Sequence, residues 1–238
     1  RPADIVAMKE KPDAAQAIAM PAWIDTPVGP EPRPPRPLAP SSAGEDMVPD
    51  PPLSTGETRD AAQRGVLIHA LLERLPAVAP DKRVAGGRDW LMRHADDLAP
   101  EEREEMIVSA LQVIDTPDYA SIFSADALAE VPLSATVDGQ VVAGIADRLL
   151  IEGKRVTVVD FKTARRPPMS LDQVPYATIR QMAAYAAALG VIYPEHEVRA
   201  AVLYTHAPRL IPIPAELLES NKPGLSSAQE SFNPRMVE

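Results

Sequence analysis

The chain has no cysteine, which excludes disulfides, thiolate zinc sites, iron–sulfur clusters and a cysteine nucleophile. Basic residues are in deficit: Lys plus Arg number 24 against 34 Asp plus Glu, a net charge of −10. Passive coating of nucleic acid needs excess Lys and Arg to displace counterions, so composition by itself argues against a non-specific nucleic-acid binder. Long apolar runs are missing too. The longest nearly apolar stretch, Met182–Tyr193, falls short of the ~20 residues that span a bilayer. The opening RPADIVAMKEKPDAAQ lacks the basic-then-apolar layout of a signal peptide. No phosphate-cradling loop is present either. The only Gly-Lys pair, Gly153-Lys154, is followed by Arg155 and lacks the upstream glycine of a Walker A motif, so the chain has no ATP site of its own. The first residue is Arg1 rather than Met, as in a piece of a longer polypeptide.

What is present suffices for one large or two small domains: 238 residues, 45% apolar and 24% charged. Ten prolines fall between Pro27 and Pro52, with few aliphatic residues and no helical or strand period. Such a segment cannot bury enough surface to offset its ordering entropy. The organisation expected is therefore an extended Pro-rich linker over residues 1–57, a folded domain over 58–220 and a flexible tail over 221–238.

Within the domain, Arg59–Pro76 spaces Ala62, Val66, His69, Leu72 and Leu75 along one helix face. Gly86-Gly87 reads as a break before a second helix, GRDWLMRHADDL. Pro100–Asp115 opens with Pro and a run of acids, a good helix start whose acids read as a solvated face far from the functional site, and YASIFSADAL reads as a short helix. The period then drops to two. Ala129–Val137 and Gln140–Glu152 read as strands joined at Asp138-Gly139, and Arg155–Thr163 as a third, buried strand. A long helix, TIRQMAAYAAALGVIY, a strand over Val198–His206 and an edge strand RLIPIP follow. The fold class is α/β with α+β character: a mixed central sheet flanked by helices, after a Pro-rich extended segment.

Three features could carry chemistry. In GIADRLL and VVDFKT, Asp147 and Asp160 lie on neighbouring antiparallel strands, and Asp160 and Lys162 share a face. A bare Asp-x-Lys triplet is usually an ion pair. Here both acids fall inside apolar strands, where a carboxylate pair repels itself unless a cation or proton intervenes, so an ion-paired cluster and a metal site both remain open. Gln181 and Tyr185, four apart, stack on one helix face; they read either as the polar rim of an amphipathic helix or as groups aimed at a phosphate backbone. His69 is a core or boundary histidine unless its helix packs over the carboxylates. His94, His196 and His206 read as surface or structural residues.

The ordered set RGVLIHALLERLP, AEVPL, GIADRLL, VVDFKT and QMAAYAAAL resembles the RecB-type nuclease domain of the PD-(D/E)xK superfamily. PAWID with the proline tract, LAEVPL and YPEHEVRAAVLYTHAP resemble, more narrowly, the C-terminal end of bacterial AddA-type helicase–nuclease subunits. The resemblance implies a restriction-endonuclease-like core. It also implies a metal held by His69, Asp147, Asp160 and the Phe161 backbone carbonyl, and Glu130 sits where the family often has a Glu in its first strand. Lys162, Gln181 and Tyr185 would complete the catalytic set. Mg²⁺ is the metal implied, or Mn²⁺, which a histidine ligand also suits. The activity implied is exonucleolytic trimming of DNA unwound in double-strand-break repair, in the bacterial cytoplasm near the nucleoid. Single-stranded DNA, an N-terminal helicase portion and an AddB-type subunit would be the partners. A non-catalytic DNA-binding or scaffolding module of the same fold is the alternative. Arg148, Arg165 and Arg180, with Arg166, form a local basic set for DNA within the acidic chain, whose own affinity should be weak and salt-sensitive.

Overall fold

The computed structural model describes residues 37–40 and 55–223. The linker expected over 1–57 lies outside the described residues except for 37–40 and the start of the first helix. The tail expected from 221 lies outside them from residue 224. Helices α1 (Thr55–Arg74), α2 (Arg83–His94) and α3 (Pro100–Ile114) precede a β-meander of β1 (Leu128–Val137), β2 (Gln140–Glu152) and β3 (Arg155–Lys162). Helix α4 (Tyr176–Ile192) then crosses over to β4 (Glu197–Tyr204), and β5 (Arg209–Ile213) and α5 (Ala215–Ser220) close the fold. The sheet has five strands in the order β1-β2-β3-β4-β5. Only β3 and β4 run parallel, as the intervening helix allows. The mixed sheet flanked by helices is the architecture expected. No helix among the described residues is long and apolar enough to cross a membrane.

Local chemistry sets the elements. At the β1–β2 turn Asp138 and Gly139 take φ of 45° and 83°, the left-handed pair that a two-residue hairpin demands. Pro100 opens α3, and the Glu102 carboxylate accepts from the Ala99 N–H at 3.1 Å, satisfying a donor the helix leaves free. The sheet is apolar on both faces. Val159, Phe161 and Leu203 pack with Ile68, Leu71 and Leu72 of α1 and Ile107 of α3. Val156, Val158 and Val202 pack with Met182 and Leu189 of α4. β3, covered on both sides, thus carries Asp160 into the interior.

Four local expectations give way to tertiary packing. On α1 the buried set is Arg64, Leu67, Ile68, Leu71 and Leu72, whereas Val66 is 69% exposed; the sheet below selects a face rotated from the one expected. Gly86-Gly87 does not break α2. Gly87 is buried, and a Cβ there would come within 3.2 Å of Ile107, so this glycine lets α2 and α3 approach closely. YASIFSADAL begins at the end of a 3₁₀ turn, Pro117–Tyr119, and runs on as turns rather than a helix. Finally, the acids of α3 are not all solvated away from the site. Glu105 accepts two bonds from the buried Arg64 at 2.6 and 3.0 Å, and Arg64 also donates to the Thr163 carbonyl, next to Lys162.

That last contact makes a prediction. The Arg64 guanidinium holds the Glu105 carboxyl below its ordinary value, more than its partial burial raises it. A carboxylate with a depressed pKa in the folded state adds stability that is present above its unfolded value and is lost as pH falls through the folded one. The gap in urea midpoint between the wild type and Glu105→Gln should therefore be widest near neutrality and close below about pH 4. A gap that persists unchanged at pH 3 would remove the ion pair as its cause.

Candidate active site

The site forms where two strands part. β2 and β3 pair from Glu152↔Arg155 to Arg148↔Val159. Asp147 and Asp160 are the first residues beyond that ladder, one on each strand. The slip that frees them is visible in the packing. Ala146 and Leu149, three apart on β2, both face α4. Arg148 and Leu150 face α1 and α3 instead, Arg148 by donating to the Leu72 carbonyl at 2.6 Å. Strict alternation is thus broken at Asp147–Arg148, and Asp147 turns under α1. Opposite it on β1, Glu130 has φ of 49°, a left-handed conformation that costs a non-glycine residue about 1–3 kcal/mol and tends to mark functional sites.

Around Asp147 the contacts are short. Its Oδ2 accepts from the Phe161 backbone N–H at 2.5 Å, and its Oδ1 lies 3.3 Å from Nδ1 of His69. The His69 ring stands edge-on to Phe161, centroids 5.8 Å apart, so α1 does pack over the carboxylates. Gly65, one turn earlier, permits that closeness: a Cβ there would come within 3.1 Å of Thr163 Oγ1. Ligand atoms of His69, Glu130 and Asp147 all lie within 4.8 Å of one another. Because the Phe161 N–H points at Asp147, its C=O, on the same side of an extended residue, faces the same opening.

Asp160 belongs to an adjoining triangle. It is 5% exposed; its Oδ1 accepts from Gln181 Nε2 at 2.8 Å, and Lys162 Nζ lies 2.9 Å from its Oδ2. Lys162 Nζ in turn donates to Gln181 Oε1 at 2.7 Å. Among the described residues Asp160 Oδ2 has the Lys162 ion pair and no further hydrogen bond. Tyr185 donates to the Ile145 carbonyl. Gln181 and Tyr185 therefore spend their polar groups on the protein itself: they hold the acid, the lysine and β2 in place rather than point free at a phosphate.

The electrostatics call for a cation. Burial pushes the Asp160 carboxyl up, Lys162 offsets part of this, and Asp147 adds to it. Burial and the Asp147 charge also raise Glu130. Burial alone would lower His69, but its hydrogen bond to Asp147 and the two carboxylates hold it above its ordinary value. Burial and the Asp160 charge push Tyr185 far up as well. Every one of these shifts contains the repulsion or attraction of the site's carboxylates. An oxygen-rich set with one imidazole, a buried Asp160 carboxylate paired only to Lys162 and an inward-facing backbone carbonyl suits Mg²⁺ or Mn²⁺.

Seven residues expected from the sequence, His69, Asp147, Asp160, Phe161, Lys162, Gln181 and Tyr185, line one cavity of about 300 Å³. Ile145 of β2 and Thr163, just after β3, line it too; neither carries a sequence signal. Arg148, expected to contact DNA, does not face solvent. It is 4% exposed and lies over the Phe123 ring at 5.4 Å, so it braces β2 against α1. Arg165 and Arg166 are exposed and Arg180 is half-buried, outside the cavity lining.

A mixed sheet whose splayed strands present two acids and a lysine to an open pocket defines the restriction-endonuclease-like class of fold. The chain belongs to the PD-(D/E)XK nuclease superfamily, whose family profile matches residues 45–233, and so to a family of nucleases. No curated protein sequence matches it significantly. Among solved structures it is similar to an assumed exonuclease from Eubacterium rectale, at 11% identity and a TM-score of 0.47. That match covers 70% of this chain and 64% of the other, so the chain spans less than two thirds of that relative's length. It is also similar to SSO0001, at 17% identity and a TM-score of 0.31, over 71% of this chain and 77% of the other. The family match alone carries the assignment.

Proposed function

We propose that the chain is the nuclease domain of an AddA-type helicase–nuclease, a Mg²⁺- or Mn²⁺-dependent exonuclease that trims DNA strands unwound during double-strand-break repair. The observation that carries the catalytic part is the meeting of Asp147, Asp160 and Lys162 where β2 and β3 part. His69, Asp147, Asp160 and the Phe161 carbonyl would hold the cation, with Glu130 in reach. Such an ion would offset the charge of the scissile phosphate and make nearby water more acidic. Lys162, fixed by Asp160 and Gln181, presents its ammonium where negative charge grows on the phosphate oxygens. His69, Gln181 and Tyr185 keep these groups from reorganising as charge develops.

The biological setting is read from the sequence motifs: a helicase portion ahead of Arg1, an AddB-type partner and a bacterial cytoplasmic location. The net charge of −10 supports it, because a weak grip on DNA suits a domain to which strands are delivered. The exonuclease reading predicts that linear single-stranded DNA is degraded with Mg²⁺ while covalently closed circles of the same sequence survive. Equal loss of circles and linear strands would make the enzyme an endonuclease instead.

A further inference from the structure

β2 pairs with β1 from Gln140 to Leu149 but meets β3 only from Arg148 onward. Among the described residues, the stretch from Val141 to Asp147 therefore has an edge with no full strand beside it, and that edge ends at the active site. Along a strand, successive residues turn their N–H and C=O to opposite sides. On the open side, the Leu38 N–H donates to the Val141 carbonyl at 2.7 Å, and the Ala143 N–H donates to the Leu38 carbonyl at 3.0 Å. The next residue facing that side, Ile145, offers its carbonyl to the Tyr185 hydroxyl. One residue of the proline-rich segment and one residue of the site thus share a single edge.

Their side chains share it too. Pro40 is buried and seated on Gly144: a Cβ there would lie 2.7 Å from Pro40 Cδ and 3.4 Å from Tyr185 Cε1. Only a glycine lets both rings come over this position. Leu38 packs with Val142 of β2 and with Ala184 and Ala188 of α4, the helix that carries Gln181 and Tyr185. Pro40, the next residue of the segment turned toward β2, has no N–H to add to the pairing.

We infer that Pro37–Pro40 is a positioning strap of the active site. It closes the gap in β2 and pins α4, which keeps Tyr185 on Ile145 and Gln181 between Asp160 and Lys162. The role rests on the nuclease reading above, while the seat itself can be read without it. The full chain should be compared with Gly144→Ala, whose methyl would press into the Pro40 ring although alanine suits a strand better than glycine. Hydrogen exchange at the Ala143 amide should accelerate. The kcat for Mg²⁺-dependent cleavage of single-stranded DNA should fall between about 10- and 100-fold, the scale of a small misplacement of catalytic groups, with KM nearly constant. Adding Pro40→Ala, which removes the atoms the methyl meets, should restore both readouts. Leu38→Pro, which deletes the N–H bonded to Val141, should reproduce the loss by a separate route. Fast exchange at Ala143 with wild-type kcat would overturn the positioning role. A wild-type chain that protects Ala143 yet never cleaves DNA would instead overturn the nuclease reading, and the strap's catalytic role with it.

Discussion

Asp160→Ala and Lys162→Ala should each abolish Mg²⁺-dependent cleavage of single-stranded DNA while leaving the chain folded. For Asp160 the expected fall is at least roughly 10³-fold, which at 1.36 kcal/mol per decade is about 4 kcal/mol of transition-state stabilisation. For Lys162 it is roughly 10²–10³-fold, the range seen when one preorganised donor is removed. The two variants should part company in stability. Asp160→Ala removes a buried carboxylate that burial and Asp147 already disfavour, so the apo protein should lose little. Lys162→Ala leaves that carboxylate buried without its cation, which is the costly direction. Cleavage of labelled DNA and thermal denaturation, run on the same preparations, check both halves. Cleavage by both variants at the wild-type rate would remove the site assignment.

Metal binding should stabilise the fold, and the same carboxylates should govern how much. The would-be ligands come from α1, β1, β2 and β3 and meet only in the folded state, so binding is linked to folding. At a free ion concentration of about 100 times Kd the gain is ~2.7 kcal/mol. With ~2–4 °C per kcal/mol for a chain of this size, Tm should rise by roughly 5–10 °C when Mn²⁺ or Mg²⁺ replaces chelator. Asp147→Asn should reverse the ranking. Asn can still accept from the Phe161 N–H and relieves repulsion with Asp160, so the variant in chelator should melt no lower than the wild type. With metal present it should melt lower, having lost an anionic ligand. An equal rise in both proteins would show that the ion binds elsewhere.

These expectations trace to different depths of the sequence. The hairpin at Asp138-Gly139 and the start of α3 at Pro100 are local matters of turn and cap chemistry, and they fold as their residues dictate. Asp147, Asp160 and Lys162 were legible because polar residues inside otherwise apolar strands have few bland explanations. Gln181 and Tyr185 were legible as neighbours one helical turn apart, though not their partners, since a periodicity places a residue on a face without saying what it touches. The buried face of α1 was misjudged for the same reason: its apolar residues cover more than one stripe, and only contact with Phe161 and Leu203 chooses among them. Arg148 looked like a DNA ligand because exposure cannot be read from charge.

Zero cysteines by themselves exclude thiolate chemistry, whereas the −10 balance spoke only to the strength of nucleic-acid binding and not against a nuclease. The acids and lysine in apolar strands pointed to a charged centre, because a buried carboxylate needs a compensating charge wherever the chain puts it. Tertiary structure alone decided how those groups are deployed. The slip at Asp147 that turns it under His69, the left-handed Glu130 facing it, the closure of Gln181 on Lys162 and the seating of Leu38 beside Val141 all depend on distances between segments far apart in the chain. Local propensity acts over a turn or a strand, and carries no information about those distances.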